Sequence, residues 1–573
     1  SIAHPELEKQ TPEATKKSSV FQPVYPSTEK LVNRSISNRT IRQIMQHLFD
    51  ELRLGVRETL SDKIRSDHGL IGATEALSAI HFPKDLQQLE KAQKRLRFEE
   101  LFFIQLQLLQ KKLEQRKQFK GHLFDKVGDF FNSFYSNHLP FSLTDAQKRV
   151  IKEIRSDFAS GAQMNRLLQG DVGSGKTIVA FLSALIALDN QMQVTIVAPT
   201  EILAQQHYQT LSQLSAPLNL SIKLLTGSTK TAERKDIHAK LQSGELQLLV
   251  GTHAVLEPNV HFQNLGFAII DEQHKFGVAQ RAKLWKKNLI PPHILVMTAT
   301  PIPRTLAMTL YGDLESSIID ELPPGRKPIT TAQRTDKNRL AVNQFMKSEI
   351  EKGRQVYVVY PLIEESSSMD YKDLMDGFES ISRDFPKPKY QVSIVHGRMK
   401  SEDKALEMER FSNGKTQIMV ATTVIEVGVN IPNASVMVIE SAERFGLSQL
   451  HQLRGRIGRG ADKSYCILMT GNKLSNEAKT RIQAMVRTQD GFELAEVDLK
   501  LRGPGDLMGT QQSGILQMRI ANLSRDAQVI LQARNVAIDL LEDDPTLAKV
   551  ENKSISDTLQ MLQSGRGIWK YIS

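Results

Sequence analysis

Short apolar runs alternate with helix-forming stretches along the chain from about Phe141. This alternation is typical of parallel sheets with crossover helices, whose strands are buried on both faces. The first set of predicted strands is Val194–Ala198, Ile222–Thr226, Leu246–Val250, Phe267–Ile270 and Ile294–Met297. After Leu322-Pro323-Pro324-Gly325-Arg326, a predicted hinge, the second set is Gln355–Val359, Val392–Val395, Gln417–Ala421, Val436–Ile439 and Tyr465–Met469. The pattern predicts an α/β protein with two tandem parallel-sheet domains.

The same pattern divides the chain into five parts. We expect a linker or flexible arm over residues 1–23, a helical domain over 24–124, sheet domains over 125–325 and 326–487, and a loop and helices over 488–573. Residues 84–120 contain 10 Lys and Arg against 5 Asp and Glu. This excess indicates either the solvated face of a packing helix or a helix that follows a phosphate backbone.

Composition narrows the class of protein. The chain has 573 residues, too many for one core. Its net charge of +10 and pI near 9.3 favour a polyanionic partner. A single cysteine, Cys466, excludes an intrachain disulfide framework and a Cys-rich zinc site. We expect no membrane span, no signal peptide and a cytoplasmic location.

A glycine-rich string follows Leu167-Leu168 and precedes a helix-forming stretch. It fits the phosphate-loop pattern G-x-x-x-x-G-K-[ST], and its residues are Gly170, Asp171, Val172, Gly173, Ser174, Gly175, Lys176 and Thr177. Backbone N–H groups of such a loop surround phosphate oxygens. We expect Lys176 to reach the outer phosphates of a nucleotide and the Thr177 hydroxyl to bind Mg²⁺.

Two carboxylates, Asp271 and Glu272, follow the predicted strand Phe267–Ile270. Ligands of open parallel sheets bind at the carboxyl ends of strands. A carboxylate pair at that edge suits one metal contact and one base that orients water. The sequence therefore predicts a nucleoside triphosphatase.

Further short strings stand where strands should end. They are Leu143-Thr144-Asp145-Ala146-Gln147, Ala198-Pro199-Thr200-Glu201, Gly251-Thr252-His253-Ala254, Thr298-Ala299-Thr300-Pro301, Ala421-Thr422-Thr423-Val424-Ile425-Glu426-Val427-Gly428 and Gln452-Leu453-Arg454-Gly455-Arg456-Ile457-Gly458-Arg459. Their joint order resembles superfamily 2 helicases. Asp271-Glu272-Gln273-His274, Pro301-Ile302-Pro303-Arg304 and Leu501-Arg502-Gly503-Pro504-Gly505-Asp506 narrow the resemblance to RecG branch-migration helicases.

The resemblance implies a fold and a nucleotide site. The two sheet domains would be RecA-like motor domains, with an N-terminal helical region and a C-terminal extension that holds a translocation motif. Gln147 would read adenine, with Phe141 stacking on it. Asp271 would hold Mg²⁺, and Glu272 would activate the attacking water. The second domain would contribute Gly428, Gln452, Arg456 and Arg459 to the nucleotide, with both arginines at the γ-phosphate.

The resemblance also implies DNA contacts. The backbone-contacting loops would contain Pro199, Thr200, Thr226, Gly227, Gly251, Thr252, His253 and Thr422. Within the translocation motif, Arg502 and Gln512 would couple domain closure to DNA. Alternatively, Arg502 caps a turn at the surface, and His274 packs behind the site and plays no part in coupling.

We therefore expect an ATP-dependent double-stranded DNA translocase that remodels stalled forks and recombination junctions. The alternatives are a related translocase of transcription-coupled repair, an RNA helicase, or a nucleotide-dependent binder without catalysis. Expected partners are duplex and branched DNA, with a single-strand-binding protein as a further candidate, and we expect a monomer. RecG proteins normally carry an N-terminal wedge domain, and no such β-barrel is predicted before Val24. We expect either a fragment or a lost wedge.

Overall fold

The computed structural model describes residues 21–564, apart from 22, 27, 53–54, 119, 273–283, 285–286, 289, 304–306, 308–313, 324–326, 362–366, 423–430, 459–462 and 503–517. The chain divides into two compact units. One is Lys112–Gly503, and the other is Ser1–Lys111 together with Pro504–Ser573.

Thirteen strands in the described ranges belong to two sheets, and eighteen α-helices accompany them. The strands are β1 (Asn165–Gly170), β2 (Gln193–Val197), β3 (Ile222–Leu225), β4 (Leu248–Gly251), β5 (Leu265–Asp271), β6 (His293–Thr298), β7 (Glu315–Ile319), β8 (Ile329–Thr335), β9 (Gln355–Val359), β10 (Val392–Val395), β11 (Ile418–Ala421), β12 (Ala434–Ile439) and β13 (Ser464–Thr470). The helices are α1 (Glu29–Asn33), α2 (Asn38–Glu51), α3 (Asp62–His68), α4 (Ala73–His81), α5 (Leu86–Gln118), α6 (Asp129–Ser133), α7 (Asp145–Phe158), α8 (Lys176–Asp189), α9 (Glu201–Ser215), α10 (Thr231–Ser243), α11 (Arg339–Glu351), α12 (Ser367–Asp384), α13 (Ser401–Ser412), α14 (Leu447–Arg454), α15 (Asn476–Arg487), α16 (Gly491–Arg502), α17 (Ala527–Asp543) and α18 (Lys553–Ser564).

The first lobe is the part of the larger unit that carries β1–β7. Its sheet has the order β3-β4-β2-β5-β6-β1-β7, and the neighbouring strands are parallel. Successive residues of β5 point to opposite faces, as the strand period requires. Phe267 and Ile269 join one hydrophobic cluster, whereas Ala268 and Ile270 join the other. Both faces are therefore covered, which explains the unbroken apolar runs in the sequence.

The second lobe carries β8–β13 and repeats this architecture. Its sheet has the order β10-β11-β9-β12-β13-β8, again with parallel neighbours. The α/β class with two parallel sheets is confirmed. The predicted strands correspond to β2–β6 and β9–β13, with ends that differ by a few residues. Strands β1, β7 and β8 were not among them, because each carries polar residues such as Glu315-Ser316-Ser317 and Thr330-Thr331.

The smaller unit is helical in its described parts. Arg95 of α5 is fully buried and binds Glu58 and Glu99, each at 2.5 Å. Glu100 of the same helix accepts hydrogen bonds from the backbone N–H groups of residues 519, 520 and 521. These bonds fix the C-terminal segment to α5 within the unit.

The predicted limits at 124 and 488 differ from the division between the units, which falls at Lys111 inside α5 and at Gly503. The five-part organisation remains a prediction. No helix among the residues with described structure is long and apolar enough to cross a membrane.

Candidate nucleotide site and nucleic-acid loops

The phosphate loop connects β1 to α8 at the carboxyl end of the first sheet. Gly173 and Gly175 adopt φ angles of 81° and 85°, in the left-handed region that favours glycine. No side chain caps the first turn of α8, and no acidic residue lies in it. Its backbone N–H groups and the positive end of the helix dipole therefore suit a phosphate group.

Lys176 is held inside this loop. Its Nζ donates to the carbonyl oxygens of Gly170 at 2.7 Å and of Asp171 at 3.0 Å. A Cβ on Gly170 would lie 2.5 Å from Ser174 Oγ, so no larger residue fits there. The loop is thus a tight cradle that places one ammonium group at its centre.

Gln147 lies behind the loop. Its Nε2 donates to the carbonyl oxygen of Ser174 at 2.8 Å, and its Oε1 accepts from the backbone N–H of Thr144 at 3.0 Å. The side chain is fully buried and completes the capping box of α7. A Cβ on Gly175 would collide with the Gln147 amide. Phe141, the predicted stacking partner of adenine, is 41% exposed.

Asp271 ends β5, which β6 separates from β1. Its Oδ2 lies 2.7 Å from His207 Nε2, and its Oδ1 accepts from the backbone N–H of Glu272 at 3.1 Å. Burial alone would raise the pKa of Asp271. The hydrogen bond and charge of His207, together with the charge of Lys176, lower the pKa below its usual value. Asp271 therefore stays ionised.

The pKa of Glu272 is shifted in the opposite direction from that of Asp271. Burial, followed by the charge of Asp271, raises its pKa, while the charges of Lys176 and Arg456 act against that rise. Its backbone φ is 54°, a rare conformation for a residue with a side chain. A carboxylate with a raised pKa is a stronger base, which suits activation of a water molecule.

The residues present fit a magnesium ion only with help from a ligand. Among the residues whose side chains are described, no group of three or more His, Cys, Asp or Glu could hold a metal. The Thr177 hydroxyl and the Asp271 carboxylate are oxygen donors of the kind that Mg²⁺ prefers. Phosphate oxygens and water would complete the shell, as is usual for this ion.

The second lobe meets the phosphate loop through α14 and the turn after it. A Cβ on Gly455 would lie 2.6 Å from Val172 Cβ, so the backbone at Gly455 packs directly on the loop. Arg456 follows it, is 7% exposed and acts electrostatically on Glu272. Gln452 is also buried, on α14. Gly428 and Arg459 lie outside the described residues.

The predicted DNA loops of the first lobe lie at one sheet edge. Because β4 pairs with both β2 and β3, the carboxyl ends of these three strands are adjacent. Thr200 caps α9 through a bond from Leu203 N, and the Thr226 hydroxyl lies 2.9 Å from Ser228 Oγ. The residues that follow the three strand ends are Pro199 and Thr200, then Thr226 and Gly227, then Thr252 and His253 after Gly251.

Thr422 follows β11 in the second lobe and is buried. Gln512, Gln273 and His274 lie outside the described residues. Arg502 ends α16, but its side chain is not described. The coupling roles of Arg502 and Gln512 therefore remain predictions.

Comparisons with known proteins match most of the chain. Family models match as DEAD/DEAH box helicase over residues 144–309, as helicase conserved C-terminal domain over 337–461, and as ATP-dependent DNA helicase RecG, domain 3, C-terminal, over 488–573. The ATP-dependent DNA helicase RecG of Streptococcus pneumoniae is 44% identical, over 92% of this chain and 78% of its own length. The ATP-dependent DNA helicase RecG of Escherichia coli K12 is 41% identical, over 96% of this chain and 79% of its own length. The chain belongs to the RecG family of ATP-dependent DNA helicases.

The predicted resemblance to RecG is thereby confirmed. A solved structure of RecG bound to a three-way DNA junction has a TM-score of 0.67 and 40% identity, covering 89% of this chain and 66% of that one. The RecG of Synechocystis sp. is 49% identical over 92% of this chain. The chain spans 62% of that relative's length.

Two residues of this RecG-family site were missed by sequence reasoning. His207 contacts Asp271 from α9, and His451 Nε2 lies 2.5 Å from Asp171 Oδ1. His451 directly precedes Gln452 in a string that was recognised, which is the one local signal that could have directed attention to it. His207 carries no local signal, since only the pairing of β2 with β5 brings α9 to that strand end.

Proposed function

We propose that this chain is a DNA-stimulated ATPase that moves along double-stranded DNA and remodels forks and junctions. The observation that carries the proposal is the convergence of charged groups around one phosphate loop. Lys176 and Glu272 come from the first lobe, whereas Arg456 comes from the second. Phosphoryl transfer depends on this kind of positioning and charge stabilisation.

The residues have separable tasks in the proposed reaction. Lys176 moves from its two backbone carbonyls to the outer phosphates of ATP, and the first turn of α8 donates N–H groups to them. Glu272 accepts the proton of the attacking water. Arg456 stabilises the charge that develops on the transferred phosphoryl group. A magnesium ion held by Thr177 and Asp271 would neutralise phosphate charge.

Two lobes that share one site tie hydrolysis to their relative motion, because Arg456 assists only when its lobe packs on the loop. The loops after β2, β3 and β4 offer hydroxyl and backbone groups to the DNA backbone, contacts that carry no sequence information. A motor that moves along any duplex needs such contacts. We further propose that the chain acts as a monomer and that a single-strand-binding protein is a partner.

The test compares ATP hydrolysis with three-way forks, four-way junctions, linear duplex, single strands and RNA duplex at one salt concentration, since phosphate contacts are salt-dependent. The Lys176→Ala variant serves as the control for contaminating ATPase. We expect branched and duplex DNA to stimulate more than single strands or RNA. Stronger stimulation by RNA duplex would instead favour an RNA helicase.

A further inference from the structure

Asp171 is an acidic side chain of the phosphate loop that forms hydrogen bonds with the second lobe. Its Oδ1 lies 2.5 Å from His451 Nε2, and its Oδ2 accepts from the backbone N–H of Gly491 at 3.3 Å. Gly491 is the first residue of α16. A Cβ there would lie 2.5 Å from His451 Nε2 and 2.6 Å from Pro301 Cγ, and it would collide with Asp171. The approach is closer than any larger residue permits.

The hydrogen-bond partners of the His451 ring show which of its two nitrogen atoms carries the proton. Its Nδ1 lies 3.0 Å from Arg454 Nη2. A guanidinium can only donate, so Nδ1 accepts and Nε2 carries the proton that is donated to Asp171. His451 therefore links a carboxylate on one side to a cation on the other.

Arg454 extends this series of hydrogen bonds from His451 to the start of the C-terminal region. It is 2% exposed. Its Nη1 donates to the carbonyl oxygens of Met485 at 2.9 Å and Thr488 at 2.8 Å, and its Nη2 donates to that of Gln489 at 3.3 Å. These acceptors lie where α15 ends and α16 begins. A continuous buried path thus joins the phosphate loop to the α15–α16 connection.

Asp171 also touches the nucleotide machinery, because its carbonyl oxygen accepts from Lys176 Nζ at 3.0 Å. Phosphate binding would draw that ammonium away from the carbonyl oxygens of both Gly170 and Asp171. Asp171 would then lose a backbone hydrogen bond while its carboxylate binds His451 of the second lobe. Buried polar networks are energetically demanding when one member loses its partner. A change in the hydrogen bonds of the phosphate loop would therefore alter the bond between Asp171 and His451.

We propose that Asp171, His451 and Arg454 form a positioning relay that transmits the state of the phosphate loop to α16, and so couples ATP turnover to DNA. This inference rests on the proposed function. None of the three side chains needs to touch ATP to act. The relay predicts an interaction energy between these residues that a double-mutant cycle measures.

The decisive variants change His451, since Arg454 binds four acceptors and its removal endangers folding. His451→Leu removes both hydrogen bonds. His451→Gln places an amide donor near the position of Nε2 and keeps the bond to Asp171. Asp171→Ala and the double variant complete a cycle that isolates the pairwise interaction. Asp189→Ala is the matched control, because Asp189 also binds backbone N–H groups, those of Gly128, Phe130 and Phe131, but lies outside the relay.

The first measurement is the ratio of ATP turnover with duplex DNA to turnover without it. We expect His451→Leu to lower this ratio about fivefold or more, the lower range of typical couplings between sites. His451→Gln should recover part of the loss. The Asp171→Ala and His451→Leu effects should be non-additive, whereas Asp189→Ala and His451→Leu should add. Additive effects within the pair, or equal ratios in all variants, would overturn the relay.

The second measurement needs neither DNA nor hydrolysis. Spin labels at Ser156→Cys on α7 and Ser412→Cys on α13 report the separation of the lobes, since both positions are exposed and Cys466 is buried. We expect one narrow separation in the unmutated chain and a broader one in His451→Leu. Identical distributions would contradict the relay. A chain that DNA fails to stimulate would defeat the proposed function, and the label distances would still decide the relay.

Discussion

His207 Nε2 on α9 lies 2.7 Å from Oδ2 of Asp271 at the end of β5. The backbone N–H of Glu272 binds the other carboxylate oxygen. Both oxygens of the proposed magnesium residue are therefore oriented before any ligand arrives. Groups that orient a metal-binding carboxylate contribute to affinity although they do not touch the metal.

Removing the His207 side chain should weaken Mg²⁺ binding at Asp271. In His207→Ala, the Asp271 carboxylate loses its orienting donor, and we expect ATP hydrolysis to need more Mg²⁺ or to fall by about 10- to 100-fold. His207→Gln, which keeps a donor near the position of Nε2, should lose less. Magnesium titrations of ATP hydrolysis at constant pH provide the measurement. An unchanged magnesium requirement in His207→Ala would show that the contact plays no part in metal binding.

Glu272 and Lys176 should fail in different ways. Glu272→Gln removes the base but no positive charge, so we expect turnover to fall by about a hundredfold or more with nucleotide binding retained. Lys176→Ala removes the ammonium from the loop and should lose both turnover and tight nucleotide binding. Fluorescent-nucleotide titration separates the two outcomes, and thermal unfolding verifies the fold of each variant. Normal turnover in either variant would refute the site assignment.

Arg456 should be irreplaceable by lysine. A guanidinium supplied across a cleft is worth about a thousandfold or more in phosphoryl transfer, and an ammonium cannot copy its planar geometry. We expect Arg456→Lys and Arg456→Ala to have similarly low kcat values. Arg444→Ala, at an exposed arginine of the same lobe, is the control and should retain activity. Steady-state ATP hydrolysis with duplex DNA measures all three variants, and near-normal kcat in Arg456→Lys would argue against a role at the phosphates.

The sequence was sufficient to predict those features that depend on consecutive residues. The apolar run of β5 and the spacing of the phosphate loop are consecutive in sequence, so both could be recognised directly. Strands β7 and β8 were missed because an edge position lets polar residues such as Thr330 replace apolar ones. Contacts between distant residues leave no such pattern. The pairs His207–Asp271 and Asp171–His451 depend on strand order and on the packing of one lobe against the other, so the fold was needed to find them.

His293 should make the first lobe sensitive to mild acid. It is fully buried at the start of β6, where its Nδ1 accepts from the backbone N–H of Met164 and its Nε2 donates to the carbonyl oxygen of His122. Protonation would make Nδ1 a donor that faces the N–H of Met164, so this hydrogen bond would be lost. Burial, the largest cause, lowers the pKa of His293 to about 4.

The sign of the effect follows from proton linkage. An unfolded chain has an ordinary histidine with a pKa of about 6.5. Between pH 6.5 and about pH 4, His293 is protonated in the unfolded state but neutral in the folded state. The contribution to stability is complete above pH 6.5 and decreases by about 3 kcal/mol as the pH falls to 4.

We therefore expect the unfolding temperature of the first lobe to decrease over this pH range, and His293→Asn to show a flatter dependence despite lower stability at neutral pH. Thermal unfolding between pH 7.5 and 4.5, with hydrogen exchange at β6 as the local readout, provides the measurement. His138→Asn, at an exposed position, is the control and should follow the unmutated protein. Parallel pH profiles for His293→Asn and the unmutated chain would show that another group is responsible for the acid sensitivity.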